Sequence, residues 1–203
     1  MRKITMRSSI FSILSITLVS ACSMGNDAAQ LYMSPTSSDQ TYVDYDRKLY
    51  KHWIDEDSDC QDTRQEVLIS ESIELVVLDE RGCKVISRLW SDPFTGNTYT
   101  DPSDLDIDHI IPLKEVHVSG GYAWSAERKE QYANDISNPD VLIAVSRSTN
   151  RSKGARDVAH WLPTNEGFRC EYVRRWTAVK EAWGLDMDEV ETDRILTLLS
   201  ECS

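Results

Sequence analysis

The chain has 203 residues, 34 of them acidic against 22 Lys and Arg, giving a formal net charge of -12. Domains that grip nucleic acid tightly and read its sequence are usually basic, so this balance argues against tight sequence-specific binding. Local charge still counts, because salt screens fields beyond roughly 10 Å.

At the N-terminus, Arg2, Lys3 and Arg7 precede an apolar run through Ile10, Phe11, Ile13, Leu14, Ile16, Leu18 and Val19, followed by small residues at Ser20 and Ala21. A basic start, a short apolar run and a small-residue cleavage region make an export signal. The run is too short to span a bilayer, which needs roughly 20 apolar residues. Leu18-Val19-Ser20-Ala21-Cys22 resembles a bacterial lipobox, which implies cleavage before Cys22 and a lipid on its sulfur. A plain signal peptide with a chance cysteine is the alternative. An acylated cysteine anchors through about 0.8 kcal/mol per buried methylene. Ser23 after the cysteine implies, by the same resemblance, sorting to the outer membrane. The segment before Cys22 has three basic and no acidic residues, so the chain after it is near -15.

Residues 22–41 are small and polar, including Gly25, Asn26, Ser34, Pro35 and Thr36. Such composition buries too little surface to offset chain entropy, and the segment reads as a flexible tether. The division is therefore a lipoprotein signal peptide over 1–21, a lipidated tether over 22–41, and one domain over 42–203.

With Cys22 assigned to lipid, Cys60, Cys83, Cys170 and Cys202 remain. An even number in an exported chain implies disulfides. Of three possible pairings the sequence-local ones are favoured, Cys60 with Cys83 and Cys170 with Cys202, each stabilising by roughly 3 kcal/mol. A zinc site competes, but no C-x-x-C pair seeds one.

Apolar and aromatic spacing predicts a helix over 45–53, through Tyr45, Leu49 and Trp53, and a second over 63–69 capped by Asp62 or Thr63. Strands are expected over 75–78 and 84–90, turning at Arg81-Gly82. Pro93, Gly96, Asn97, Pro102 and Ser103 mark a loop, and Leu105 to Ile111 form an extended segment stopped by Pro112. A helix over 123–132, a buried strand over 141–145 and helical composition from Asn150 complete the pattern.

Three fragments carry chemistry: Asp106-Ile107-Asp108-His109-Ile110-Ile111-Pro112, Asn138-Pro139-Asp140-Val141-Leu142 and Asn150-Arg151-Ser152-Lys153-Gly154. In this order they resemble HNH (ββα-metal, His-Me finger) nucleases, where D-H-I-x-P ends a first strand, an Asn opens the second, and N-R-x-K-G begins a helix. The chain is more closely similar to small exported bacterial HNH proteins, through Cys60-Gln61-Asp62-Thr63-Arg64-Gln65-Glu66, Trp90-Ser91-Asp92-Pro93-Phe94-Thr95-Gly96, Ser119-Gly120-Gly121, Asn134-Asp135, Trp161-Leu162-Pro163 and Arg169-Cys170-Glu171-Tyr172.

The resemblance implies an α+β fold, with a two-stranded hairpin and a helix clasping one divalent cation, flanked by helices and a small sheet. Phosphodiester hydrolysis needs a base, a cation and stabilisation of the leaving oxygen. A neutral imidazole suits the base near pH 7, and His109 supplies it. Asp108 and Asn150 offer the oxygen ligands that Mg²⁺, or Mn²⁺, prefers. Asp108 and His109 leave opposite faces of an extended strand, so a bend must bring them to one pocket. Asn138 is expected to pin the loop beneath the histidine. Arg151, Lys153 and Arg156 form a basic cluster, with Arg151 and Lys153 catalytic candidates that hold phosphate. Asp157 is expected to pair with one of them.

His52, His117 and His160 are taken as structural, with His160 nearest the cluster. Asp62, Arg64 and Glu66 have no assigned role; Arg64 could meet phosphate or tie the first helix to the core, a structural ion pair being the default. The six tryptophans read as core. The expected activity is a metal-dependent nuclease, acting on DNA with little sequence preference and with RNA open, in a monomer at the envelope membrane. The rivals are a non-catalytic surface lipoprotein using the HNH scaffold to bind nucleic acid or a protein, and a zinc-stabilised envelope protein.

Overall fold

A computed structural model describes residues 42–202. The expected signal peptide, lipidation at Cys22 and tether lie outside the described residues.

Asp62 caps the first helix, α1 (Thr63–Ser70), by accepting from the Gln65 amide at 3.0 Å. The helix lies where the sequence places it, and of the two expected caps, Asp62 and Thr63, it is Asp62 that serves. The helix expected over 45–53 is instead one 3-10 turn, Arg47–Leu49, capped by Asp46. Tertiary contacts override helical spacing here. Tyr50 is fully buried and Leu49 exposed, and Trp53 takes a left-handed backbone (φ 61°) that no α-helix accommodates.

The strand expected over 84–90 is two strands. β1 (Val77–Leu78) pairs antiparallel with β2 (Val85–Ser87), whereas β3 (Trp90–Ser91) pairs with β4 (Thr98–Tyr99) across the Pro93–Asn97 turn. The third and central pair is β5 (Leu105–His109) with β6 (Leu142–Ser146), antiparallel, with His109 opposite Leu142 and Leu105 opposite Ser146. Every residue of β6 is buried, as expected of an unbroken apolar strand inside a core.

Residues 110–141 form an insertion between β5 and β6. It carries α2 (Leu113–Val118), which the sequence reading did not anticipate, and α3 (Ala126–Ala133), capped by Ser125 and so starting three residues later than expected. β6 runs directly into α4 (Arg147–Lys153), whose cap is Ser146. Asn150 thus lies inside this helix, one turn past its start, rather than opening it. Gly154 ends α4 at φ 59°, a region that favours glycine.

Two long helices, α5 (Glu166–Trp183) and α6 (Glu189–Ser200), close the domain. The Lys180 ammonium is fully buried and donates to Glu115 (2.8 Å), Ser119 (2.7 Å), the Asp186 carbonyl (2.9 Å) and Glu191 (3.1 Å), tying α2, α5 and α6 together. Such a cation is tolerable in a dry interior because it is paired and its protons are used. Trp90, Phe94, Tyr172 and Trp176 fill the core, and all six tryptophans are buried in it or packed against it. Trp53 also stacks on His109.

The disulfides are Cys60–Cys83 and Cys170–Cys202, with Cα–Cα distances of 5.2 and 5.7 Å. The first staples the loop before α1 to the β1–β2 turn, and the second joins α5 to the end of α6. Both follow the sequence-local pairing, and they leave none of these four thiolates for zinc. No helix among the described residues is long and apolar enough to cross a membrane.

Candidate active site

Side chains alternate along β5, so Asp106 and Asp108 share one face while Leu105, Ile107 and His109 share the other. α4 packs over the acidic face, and its residues three apart meet residues two apart on the strand. Asn150 Nδ2 donates to Asp106 at 3.0 Å, and Lys153 Nζ donates to Asp108 at 2.6 Å. A carboxylate only accepts, so the Asn150 amide nitrogen is committed and its carbonyl oxygen is the atom left for a cation.

The junction that sets this docking is itself held by Asp92. Its fully buried carboxylate accepts from Ser146 N (3.2 Å), Phe94 N (2.9 Å) and Thr95 Oγ1 (2.8 Å). Glu71 accepts from the Ala144 amide (2.7 Å), closing the outer edge of β6. The Arg64 guanidinium donates to the carbonyls of Pro102 (2.9 Å) and Leu105 (3.0 Å). It thus ties α1 to the start of β5 through backbone carbonyls rather than the expected ion pair.

Lys153 departs from its expected place. It is fully buried, and besides Asp108 it donates to the His109 carbonyl at 2.6 Å. It is no surface cation for a phosphate; it holds the end of β5 by side chain and backbone at once. Burial pushes the Asp108 carboxyl up and the Lys153 ammonium down, and their mutual attraction opposes both shifts.

His109 is fixed on three sides. Its ring lies between Trp53 (centroids 5.9 Å, 21°) and Tyr132 (5.8 Å, 20°), and Nε2 is 3.0 Å from the Ala133 carbonyl. A carbonyl only accepts, so Nε2 carries the proton and Nδ1 is left with a lone pair. Burial pulls the imidazole down to about 3; the Ala133 bond raises it, and Arg47 and Lys153 add positive charge that lowers it further. The ring is therefore neutral at pH 7, with the Nδ1 lone pair unprotonated.

The segment carrying Ala133 is held by Asn134. Its Nδ2 donates to the Lys51 and Glu130 carbonyls (2.8 Å each), and its Oδ1 accepts from Thr63 Oγ1 (2.9 Å) and Ile54 N (3.2 Å). Asn138, expected in that pinning role, sits further on: its Oδ1 accepts from Asp140 N (3.0 Å), shaping the turn into β6. The sequence contained Asn134-Asp135 as a fragment, but a buried asparagine with every polar atom used has no local signature.

Asp108 and His109 leave opposite faces of β5, yet both border one cleft of about 220 Å³ at the strand's C-terminal end, together with Asn150. Tyr45, Arg47, Pro112, Leu113 and Lys114 also line it. Arg151 and Arg156 are exposed outside this lining. Asp157 does not pair with the basic cluster but with His160 Nδ1 at 2.7 Å, also away from the cleft. His117 is a satisfied core residue: Nε2 donates to the Val43 carbonyl (2.6 Å) and Nδ1 accepts from Tyr50 OH (3.3 Å). A larger cleft of about 610 Å³ is rimmed by Glu56, Glu127, Glu130 and Asp135, and its acids would repel a phosphate.

The donor chemistry fits a hard divalent cation. Carboxylate and amide oxygens from Asp108 and Asn150 are the ligand type Mg²⁺ or Mn²⁺ takes while retaining waters, and the cleft offers neither thiolate nor a histidine cluster for zinc.

A family described as "GmrSD restriction endonucleases, C-terminal domain" matches residues 49–198. An "Uncharacterized secreted protein" of Arthroderma benhamiae is 34% identical over 158 residues, covering 78% of this chain and 76% of the relative. No solved structure matches the chain.

Proposed function

The chain belongs to the family of GmrSD restriction endonuclease C-terminal domains, and from that premise we propose that it is an HNH-type nuclease hydrolysing phosphodiester bonds, of DNA with little sequence preference, with a divalent metal. The observation that carries this reading is the His109 ring, whose Nε2 is committed to Ala133 while Nδ1 keeps its lone pair, in a residue that lines the cleft Asp108 and Asn150 border.

His109 Nδ1 takes a proton from a water as its oxygen bonds to phosphorus, and the bond from phosphorus to the leaving ester oxygen breaks, its electron pair staying on that oxygen, which takes a proton from solvent. The arriving phosphodiester brings negative charge beside the ring, favouring the imidazolium that forms. Trp53 and Tyr132 keep the ring from turning, so little orientational freedom is lost at the moment of attack. Lys153 positions the strand end, and Asn150 presents its oxygen because Asp106 holds its nitrogen. Mg²⁺ or Mn²⁺ held by Asp108 and Asn150 would supply charge neutralisation at the phosphate. Contacts to phosphate carry no base identity, which suits low sequence preference.

Export belongs to the same proposal. It is supported by the basic and apolar N-terminus, by two disulfides and by a relative named as secreted. Lipid anchoring at Cys22 rests on Leu18 to Cys22 alone, and Cys22→Ser should release the chain from membrane fractions. The nuclease reading is tested by digesting plasmid DNA and RNA with the purified chain, with and without EDTA. Cleavage that stops with EDTA is expected; cleavage that survives thorough chelation, or none on either substrate with Mg²⁺ or Mn²⁺, would overturn it.

A further inference from the structure

A cleft that takes a polyanion in a chain of net charge -12 must find its cations locally. Lys153 is spent on Asp108, and Arg151 and Arg156 lie outside the lining. Among the described residues, the cationic side chains that line the cleft beside His109 are Arg47 and Lys114. We propose that Arg47 and Lys114 grip the substrate's phosphate backbone across this cleft, an inference that rests on the nuclease reading of the same site.

Both side chains are exposed, and among the described residues no carboxylate forms an ion pair with either. They reach the cleft from separate parts of the chain. Lys114 stands in the first turn of α2, just past Pro112, so the backbone that leaves His109 also delivers the ammonium.

Arg47 comes from the segment ahead of α1, and that segment is clipped to the core rather than trailing from it. Asp46 caps its 3-10 turn by accepting from Lys48 N at 2.9 Å. Tyr50 is fully buried and donates to His117, which in turn donates to the Val43 carbonyl. His52 Nδ1 donates to the Tyr50 carbonyl at 2.8 Å, leaving Nε2 to face the Arg47 guanidinium at 3.5 Å. The guanidinium fork is thereby held at the cleft, and its remaining N–H groups match the oxygens of a phosphate. The family match begins at residue 49, so Arg47 lies outside it and membership in the family assigns it nothing.

The test measures binding of a DNA duplex by fluorescence anisotropy, in the purified chain carrying His109→Ala to suppress turnover, over a series of salt concentrations. Each phosphate contact contributes about 0.9 to the slope of log affinity against log salt. Arg47→Ala and Lys114→Ala should each flatten the slope by about that much. In the otherwise native chain, each should lower kcat/KM by about tenfold, the value of a lost charge-assisted contact. Lys48→Ala is the control, since it removes an equal charge next door from a side chain that does not line the cleft. It should leave both readings near native. Native slope and kcat/KM in both variants, in a chain that cleaves, would overturn this inference alone. So would an equal loss in Lys48→Ala, which would assign the effect to net charge. A native chain that neither binds nor cleaves nucleic acid would overturn the nuclease reading, and this inference with it.

Discussion

Replacing Lys153 with methionine separates two roles for Asp108. The substitution keeps most of the side chain's volume and removes one buried ammonium, which donates to Asp108 and to the His109 carbonyl at 2.6 Å each. Asp108 is only 6% exposed and would be left as an uncompensated buried charge. Breaking such a pair costs about 3–5 kcal/mol. In a domain of this size about 1 kcal/mol moves Tm by roughly 2–4 °C, so Lys153→Met should melt roughly 6–20 °C lower in EDTA by circular dichroism. If Asp108 is also a metal ligand, the lost ammonium was the cation competing for it, and Mg²⁺ or Mn²⁺ should now bind more tightly. Saturation at about a hundred times Kd returns about 2.7 kcal/mol, a metal-dependent rise in Tm larger than the native chain shows. Combining Asp108→Asn with Lys153→Met should remove that rise and lessen the destabilisation, since no charge is then left unpaired. A loss below about 1 kcal/mol would refute the ion-pair argument. A large loss that metal does not relieve would refute the ligand role and leave Asp108 structural.

His109→Ala should lower the cleavage rate by about 10² to 10⁴ while leaving metal binding by calorimetry intact, whereas His160→Ala, away from the cleft, should cleave at the native rate; equal losses would misplace the base. Burial raises Glu71 from its ordinary 4.5 to about 7. Between those values the folded chain holds a proton that the unfolded chain releases, so this stability is full below pH 4.5 and is lost as pH rises to about 7, by at most about 3 kcal/mol. Glu71→Gln keeps an acceptor for Ala144 N without titrating, and urea melts at pH 4.5 and 7.5 should show a smaller stability difference in the variant than in the native chain. An unchanged difference would exclude Glu71 as its source. Asn134→Ala removes four hydrogen bonds beneath the histidine and should cost about 2–4 kcal/mol together with a fall in kcat, while Asn138→Ala, with one side-chain bond, should cost about 1 kcal/mol; the reverse order would return the pinning role to Asn138.

Much of the chain was legible before any coordinates, because some constraints are local in sequence. The helix after Asp62 follows from a polar Asp62-Thr63 start ahead of apolar Val67, Leu68 and Ile69, and a buried strand within one residue of Leu142–Ser146 follows from the unbroken apolar run over 141–145. The sequence-local pairing of Cys60 with Cys83 and Cys170 with Cys202 was likewise readable. The residue types at Asp108, His109 and Asn150 pointed to the proposed chemistry, and strand alternation already placed the first two on opposite faces.

Only the tertiary structure decided which groups meet. Spacing on one helix places Asn150 and Lys153 together on a face, but it does not say that this face lies against Asp106 and Asp108, which turns Lys153 from a surface cation into a buried partner. Nor could composition find the Ala133 carbonyl that orients His109, since a backbone oxygen has no letter in the sequence. Arg47 and Lys114 reach the cleft from segments far apart in the chain. The helix expected over 45–53 failed for the same reason: Tyr50 gains burial and Trp53 gains a stacked histidine, and together these outweigh the weak local preference for another turn of helix.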